Sequence, residues 1–468
     1  MKHPARRRLS CRNLVWALLC VLVSIPVNGY AQEIIIRGGW LFDSVRDDVV
    51  HNSGIIISGG KFLEVGADLS GRDLSRTQVI DLGDDDYILP GIFDLHAHYN
   101  VNLFGRGRKD EYVVNPVIFL ANGVTSTFPA GEYNPTAMLE ARKRIDADKQ
   151  IGPRIFNSGP YFGTARPGWK DEATAEEIYR EVDFWAALGV KGFKAKGMRP
   201  QQLRALIARA HLHALTVTGH LGSGYQNTVN PKDAILMGID RVEHFLGGDA
   251  LPPDKPAYAS LVNVEPNTPE FKKIVQMFIK HNVFFDATLS AYGYSGKRQE
   301  GFDHWVEERK FLTPYVQEFL KNRPAREVNT QFEKIYWVKR KTIRAFYQAG
   351  GLITLGTDHP STGEYLSGFS THRELHTLVL SGIPPAAAIK IATINGARAL
   401  NVSHKLGSIE PGKFADLFVV TGNPLKDIRN TRNVRLVMKS GQVYDSKALL
   451  KSVEGNLGPN SPQEAEAW

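Results

Sequence analysis

Residues 90–98 read PGIFDLHAH, a short apolar run that ends in two histidines two positions apart. On a β-strand the side chains of His96 and His98 leave the same face, and a pair of neutral imidazoles is a natural grip for a divalent cation. Taken alone, the pair is equally compatible with two solvated histidines. Further donors recur downstream: Lys194 in VKGFKAK, His220 in ALTVTGH, His244 in DRVEHF and Asp358 in LITLGTD. Each lies within or at the end of a segment that reads as a strand, a placement that 14 scattered histidines would not adopt by chance. Imidazoles and a carboxylate gathered in this way point to a metal centre. His211, His213 and His376 fall in helical text, where a surface role is the default, and His359 is expected to face away from Asp358.

The elements that must position these residues follow one pattern. After a β-like stretch over 32–89, short strands alternate with helical text. The strands are expected at 91–98, 123–131, 154–159, 190–196, 214–220, 240–245, 283–289 and 352–358. Eight such βα units in series predict a parallel (β/α)8 TIM barrel over 90–404, with the polar groups at strand carboxyl ends facing the usual active-site mouth. Strand-like text returns over 405–454, so the two chain ends are expected to build one small β-sandwich, followed by a flexible tail, 455–468. Long connections at 99–115 and 290–340 are expected to act as lids or substrate walls.

The first 31 residues read as an export signal. Lys2, Arg6, Arg7, Arg8 and Arg12 precede a 14-residue apolar run, and a cleavage site is expected after Ala31. A periplasmic or secreted protein is the expectation, without stable membrane insertion once the signal is removed. Both cysteines, Cys11 and Cys20, fall inside this segment, so disulfides and cysteine catalysis are excluded for the mature chain. The segment also holds five of the 57 lysines and arginines and none of the 49 acids, which takes the formal net charge from +8 to +3. Little reason is left to expect a nucleic-acid partner.

The motifs together resemble the amidohydrolase superfamily of metal-dependent hydrolases. PGIFDLHAH is similar to its first-strand motif, VTGH and RVEHF to its fifth- and sixth-strand histidines, and LGTD to its eighth-strand aspartate. ATINGARAL followed by GSIEPGKFADLFVVTGNPL resembles the imidazolonepropionase-like and Xaa-Pro dipeptidase-like branch. The resemblance implies two divalent ions, Zn2+ first and Mn2+ or Co2+ as substitutes. His96 and His98 would hold the more buried ion, His220 and His244 the second. Lys194, carboxylated by CO2, would bridge them, and Asp358 would bind metal and manage protons. Lys196 shares the strand parity of Lys194, so the residues alone leave that choice open; the family pattern favours Lys194.

The implied reaction is hydrolysis of a small substrate's C–N amide bond, in a dipeptide or N-acyl amino acid, by hydroxide generated on the metals. Cyclic amides, lactones and esters come next. A mononuclear heterocycle deaminase is a rival, weakened because no acid follows His220 in LGSGYQN. A non-catalytic binding protein is the last alternative. Tyr225 and His372 are candidate substrate residues, each balanced against plain packing. Arg106, Arg108 and Lys109 in the first long loop would more simply be solvated charges. Homo-oligomerisation is left open by the sequence.

Overall fold

The computed structural model describes residues 33–296, 306–323, 327–359 and 362–468. The expected export signal lies outside the described residues. Strands from both ends of the described chain meet in one eight-stranded sheet. Its order runs Gln442–Asp445, Val434–Lys439, Leu417–Thr421, Gln78–Pro90, Ile34–Leu41, Ile55–Ser58 and Lys61–Val65, with Val50–His51 on Ile34–Leu41. Gln78–Pro90 is the joint: it runs parallel to Ile34–Leu41 and antiparallel to Leu417–Thr421. Alternate residues Ile34 and Ile36, Ile55 and Ile57, and Leu417 and Val419 share one buried cluster, as period-two patterning requires. The sheet curls so that the Lys61–Val65 edge meets the segment leading into Leu417–Thr421, with Phe62 N donating to Lys413 O at 2.9 Å and Ala415 N to Gly60 O at 2.9 Å.

Gln78–Pro90 passes through Gly91 straight into the parallel layer. A Cβ on Gly91 would stand 2.0 Å from Thr125 Oγ1, so only glycine lets the two strands approach. The parallel strands are β1 (Ile92–Ala97), β2 (Val124–Pro129), β3 (Arg154–Ile155), β4 (Gly192–Lys196), β5 (Thr216–His220), β6 (Arg241–Glu243), β7 (Phe284–Asp286) and β8 (Ile353–Thr354). They form a three-stranded sheet, β3-β2-β1, and a six-stranded one in which Tyr161–Phe162 precedes β4 to β8 in order. Backbone bonds span the seams: Lys191 N to Asn157 O at 2.7 Å, Leu95 N to Leu355 O at 2.9 Å and Asp358 N to His96 O at 3.0 Å. This is an α/β fold of TIM-barrel type.

The intervening helices are cut by ordinary signals. Thr268 caps Pro269–Lys280, which buries Phe271, Ile274, Val275 and Phe278 at i, i+3, i+4 and i+7. Thr174 and Glu177 form a capping box on Ala175–Ala187. The 99–115 connection carries a two-stranded hairpin, Asn100–Val101 with Lys109–Asp110. The described part of 290–340 is mainly helical, with Pro314–Lys321 and the start of Thr330–Gln348. Among the described residues no helix is long and apolar enough to cross a membrane.

One expectation is corrected. The 455–468 segment is not loose but docked: Leu457 is fully buried, accepts from Thr313 N at 3.0 Å and donates to Phe311 O at 2.8 Å. Its text is polar because only one side of it meets the fold. Leu457 is the anchor.

Candidate metal centre

On β1, Asp94 and His96 sit at alternate positions, and His98 continues the series just past the strand end. Asp94 accepts from His96 N at 3.1 Å and from Thr357 Oγ1 at 2.8 Å, which locks the chain beyond β8 against β1. Burial pushes the Asp94 carboxyl up to about 6 against these hydrogen bonds. The lock delivers Asp358 to the histidines. Its Oδ1 lies 3.0 Å from His98 Nε2 and 3.3 Å from His96 Nε2, and its Oδ2 lies 3.9 Å from His244 Nε2.

His244 reaches this point through an unusual backbone. Strand alternation turns Glu243 inward and would send His244 outward. A φ of +70° at His244 overrides the alternation, and Asp358, at +49°, is also left-handed. Strain of this kind persists only where the surroundings hold it in place. Lys339 of helix Thr330–Gln348 does part of this, donating to the His244 carbonyl. Thr288 fixes the ring: its hydroxyl donates to Ala287 O at 2.7 Å, so its oxygen accepts from His244 Nδ1 at 2.8 Å. Nε2 is thereby left as the lone-pair atom facing Asp358.

His220, at the end of β5, places its ring 4.4 Å from that of His244. Lys194 lies beneath, 1% exposed, with its amine against the Glu243 carboxylate. Glu243 also accepts from Thr218 Oγ1 at 2.9 Å and faces His96 Nδ1 at 3.4 Å. Burial, reinforced by Lys196, holds the Lys194 amine well below the usual lysine range. Burial likewise lowers His98 to about 4 and holds His96, His220 and His244 well below the usual imidazole range. All four rings are therefore neutral, the ligating form. For the Asp358 carboxyl burial works the other way, but the imidazoles of His96, His98 and His244 outweigh it and hold the group well below the usual range.

The donor chemistry fits a cation. The facing atoms of His96, His244 and Asp358 all lie within 4.8 Å of one another, and no hydrogen-bond partner satisfies the buried Nδ1 atoms of His96 and His98 among the described residues. Lone pairs converging in a buried site are stable only around something positive. Lys194 and Lys196 share strand parity but differ in depth. Lys194 sits at the base of the cluster, while Lys196 is the register partner of His220 at the rim.

Two other expectations end elsewhere. His372 is fully buried in helix Phe369–Leu380, with its Nδ1 3.1 Å from Thr431 Oγ1. The groups that act on its ring are Arg432, Asn122 and Arg373, so it packs the helix against the Ile428–Arg432 turn instead of meeting a substrate at the cluster. Tyr225 lies on a short turn after β5, its hydroxyl 3.4 Å from Gln226 Nε2, with no hydrogen bond to the cluster among the described residues. Glu243, Thr288 and Lys339 were missed by sequence reasoning. RVEHF signalled the first, but strand parity permits only one of Glu243 and His244 to face inward. The other two had no local signal.

Residues 87–444 match the model of the amidohydrolase family. The chain belongs to the amidohydrolase family, an enzyme class of metal-dependent hydrolases acting on carbon–nitrogen bonds. Among solved structures it is similar to a Xaa-Pro dipeptidase with bound methionine in its active site, at 22% identity and a TM-score of 0.67, over 88% of this chain and all of that one. It is similar in fold to molinate hydrolase as well, at 19% identity and a TM-score of 0.66, over 93% of this chain and 99% of that one. An adenine deaminase from Mesorhizobium japonicum is 34% identical over 411 residues, 86% of this chain and 56% of the relative. The chain spans 60% or less of the length of the curated deaminases it matches.

Proposed function

We propose that this chain is an exported, binuclear metal-dependent amidohydrolase that cleaves the amide bond of a small substrate of dipeptide or N-acyl amino acid type. The observation that carries the reading is the convergence of His96, His98, His244 and Asp358, with His220 beside them and Lys194 and Glu243 beneath. The seam hydrogen bonds support a closed (β/α)8 barrel, and the curled mixed sheet supports a β-sandwich shared by both ends. His96 and His98 would hold one ion, His220 and His244 the other, and carboxylated Lys194 both. The neutral state that burial imposes on the Lys194 amine is the one that reacts with CO2. Divalent ions, Zn2+ foremost, would supply an acidified water and polarise the amide carbonyl. Asp358 accepts the proton of the attacking water and returns it to the leaving nitrogen. The chain works in the periplasm or outside the cell, on small molecules.

The names of the curated relatives favour a second reading, hydrolytic deamination of a purine-like heterocycle. One experiment separates the two. The purified chain is loaded with zinc, its metal content measured, and its turnover of N-acyl amino acids and dipeptides compared with that of adenine. Two ions per chain and amide hydrolysis are expected. One ion with ammonia release from adenine would replace the first reading by the second.

A further inference from the structure

Among the described residues, the buried and half-buried lysines are satisfied with one exception. Lys194 meets Glu243, Lys339 meets the His244 carbonyl, Lys413 meets Glu410 and Lys439 donates to Gly152 O at 2.9 Å. Lys196 makes neither an ion pair nor a side-chain hydrogen bond among the described residues. It stands two positions beyond Lys194 on the same face of β4, nearer the mouth, and directly beside His220 in the β4–β5 register. The two strands are about 4.8 Å apart, so the ammonium and the imidazole flank the same space. That space is a cavity of about 320 Å3, walled by Lys196 and His220 and floored by Ala165, Met198, Leu221 and Val229.

A second cation faces the same mouth. Arg108, from the connection after β1, lies 5.9 Å over the ring of Tyr133 and has no carboxylate partner among the described residues. Tyr133 in turn packs edge-on against Tyr161 at 5.5 Å, and Tyr161 is the register partner of Lys194, which brings Arg108 to the same side of the fold. Arg106, Arg108 and Lys109 are all exposed, but Arg108 lies over an aromatic ring, whereas Lys109 is tied to Ala467 O at 2.7 Å. Asp358, the carboxylate of the cluster, is turned to the imidazoles. An unpaired ammonium beside an apolar cavity is costly to keep unless a ligand brings the opposite charge.

We propose that Lys196, assisted by Arg108, is the anion-binding residue of this site and selects substrates carrying a carboxylate close to the scissile amide, with an apolar side chain in the adjoining cavity. This rests on the amidohydrolase reading above. Lys196 binds the carboxylate by a charge-assisted hydrogen bond, and Arg108 closes over it from the loop. A neutral amide leaves the ammonium unpaired and binds worse. Charge-assisted bonds of this kind carry selectivities of about tenfold to a hundredfold.

The test uses the zinc-loaded chain with N-acetyl-L-leucine and N-acetylisopentylamine, which differ only by the carboxylate. Wild type should prefer the acid by at least tenfold in kcat/KM. Lys196→Met should collapse that preference towards one, chiefly through KM, with metal content unchanged, and Lys196→Arg should restore part of it. Arg108→Ala should raise KM for the acid by a smaller factor that shrinks with added salt. Calorimetric binding of both compounds to the zinc-loaded protein gives a readout that does not need turnover. If neither compound is hydrolysed yet the acid binds at least tenfold better in wild type and not in Lys196→Met, the amide-hydrolase reading fails and the anion site stands. Equal binding of the two compounds by wild type, or a full preference retained by Lys196→Met, overturns the proposal.

Discussion

Asp358→Asn separates proton transfer from metal holding at one residue. The carboxylate touches three rings, with Oδ1 3.0 Å from His98 Nε2 and 3.3 Å from His96 Nε2, and Oδ2 3.9 Å from His244 Nε2. Asparagine has the same shape, keeps one oxygen for the His96–His98 side and presents an amide to His244 Nε2. The backbone does not object either: φ is +49° at this position, a region that asparagine enters as readily as aspartate. Folding and zinc content should therefore match the parent. The amide cannot take a proton from the attacking water, and loss of a general acid–base group costs about a hundredfold to ten-thousandfold in kcat, or roughly 2.7 to 5.5 kcal/mol of barrier. The assay is kcat at saturating zinc and substrate, with metal content measured on the same sample. Turnover like that of the parent, with metal retained, would show that another group carries the proton and would refute the mechanism.

Lys194→Ala should lower both metal content and activity, and short carboxylic acids should restore part of each; full metal content in the variant would remove the lysine from the ligand set. Thr288→Val removes the acceptor for His244 Nδ1, so zinc affinity should fall by about 10- to 100-fold, measured by chelator competition, while Thr288→Ser keeps it. Glu132 accepts from Asn157 Nδ2 at 2.8 Å and Ser158 N at 3.0 Å, and its burial pushes the carboxyl from 4.5 up to about 8. A carboxyl raised in the folded state stabilises the fold at low pH, and that stability is lost as pH climbs towards 8, at up to about 1.4 kcal/mol per pH unit. Glu132→Gln should flatten this slope in urea titrations run across that range. Leu457→Ala, at the fully buried anchor of the terminal segment, should cost about 2 to 5 kcal/mol of stability in thermal or urea unfolding.

Much of the architecture is written locally in this chain. Several parallel strands are short apolar runs closed by a polar residue, and several helices carry their own cap and apolar stripe, as Thr268 and Phe271, Ile274, Val275 and Phe278 do. That is why the eight strands fall within their expected segments, and why His96, His98, His220, His244 and Asp358 stand out in the sequence as candidates, joined by Lys194 through the family resemblance. The pairing of Gln78–Pro90 with Leu417–Thr421 was legible only as β-like text at both ends, since strand partners are not encoded by periodicity. Tertiary structure alone decided the rest. Parity could not rank Lys194 against Lys196, and the family resemblance favours Lys194; the fold shows that the two differ in depth, one meeting Glu243 and the other a cavity. Parity also forbade Glu243 and His244 from facing inward together, and a left-handed φ, held by contacts from Thr288 and Lys339, permits it. Those contacts join residues 44 and 95 positions apart. Spacing along the chain reports which face a side chain leaves by, but what waits on that face is set by long-range packing.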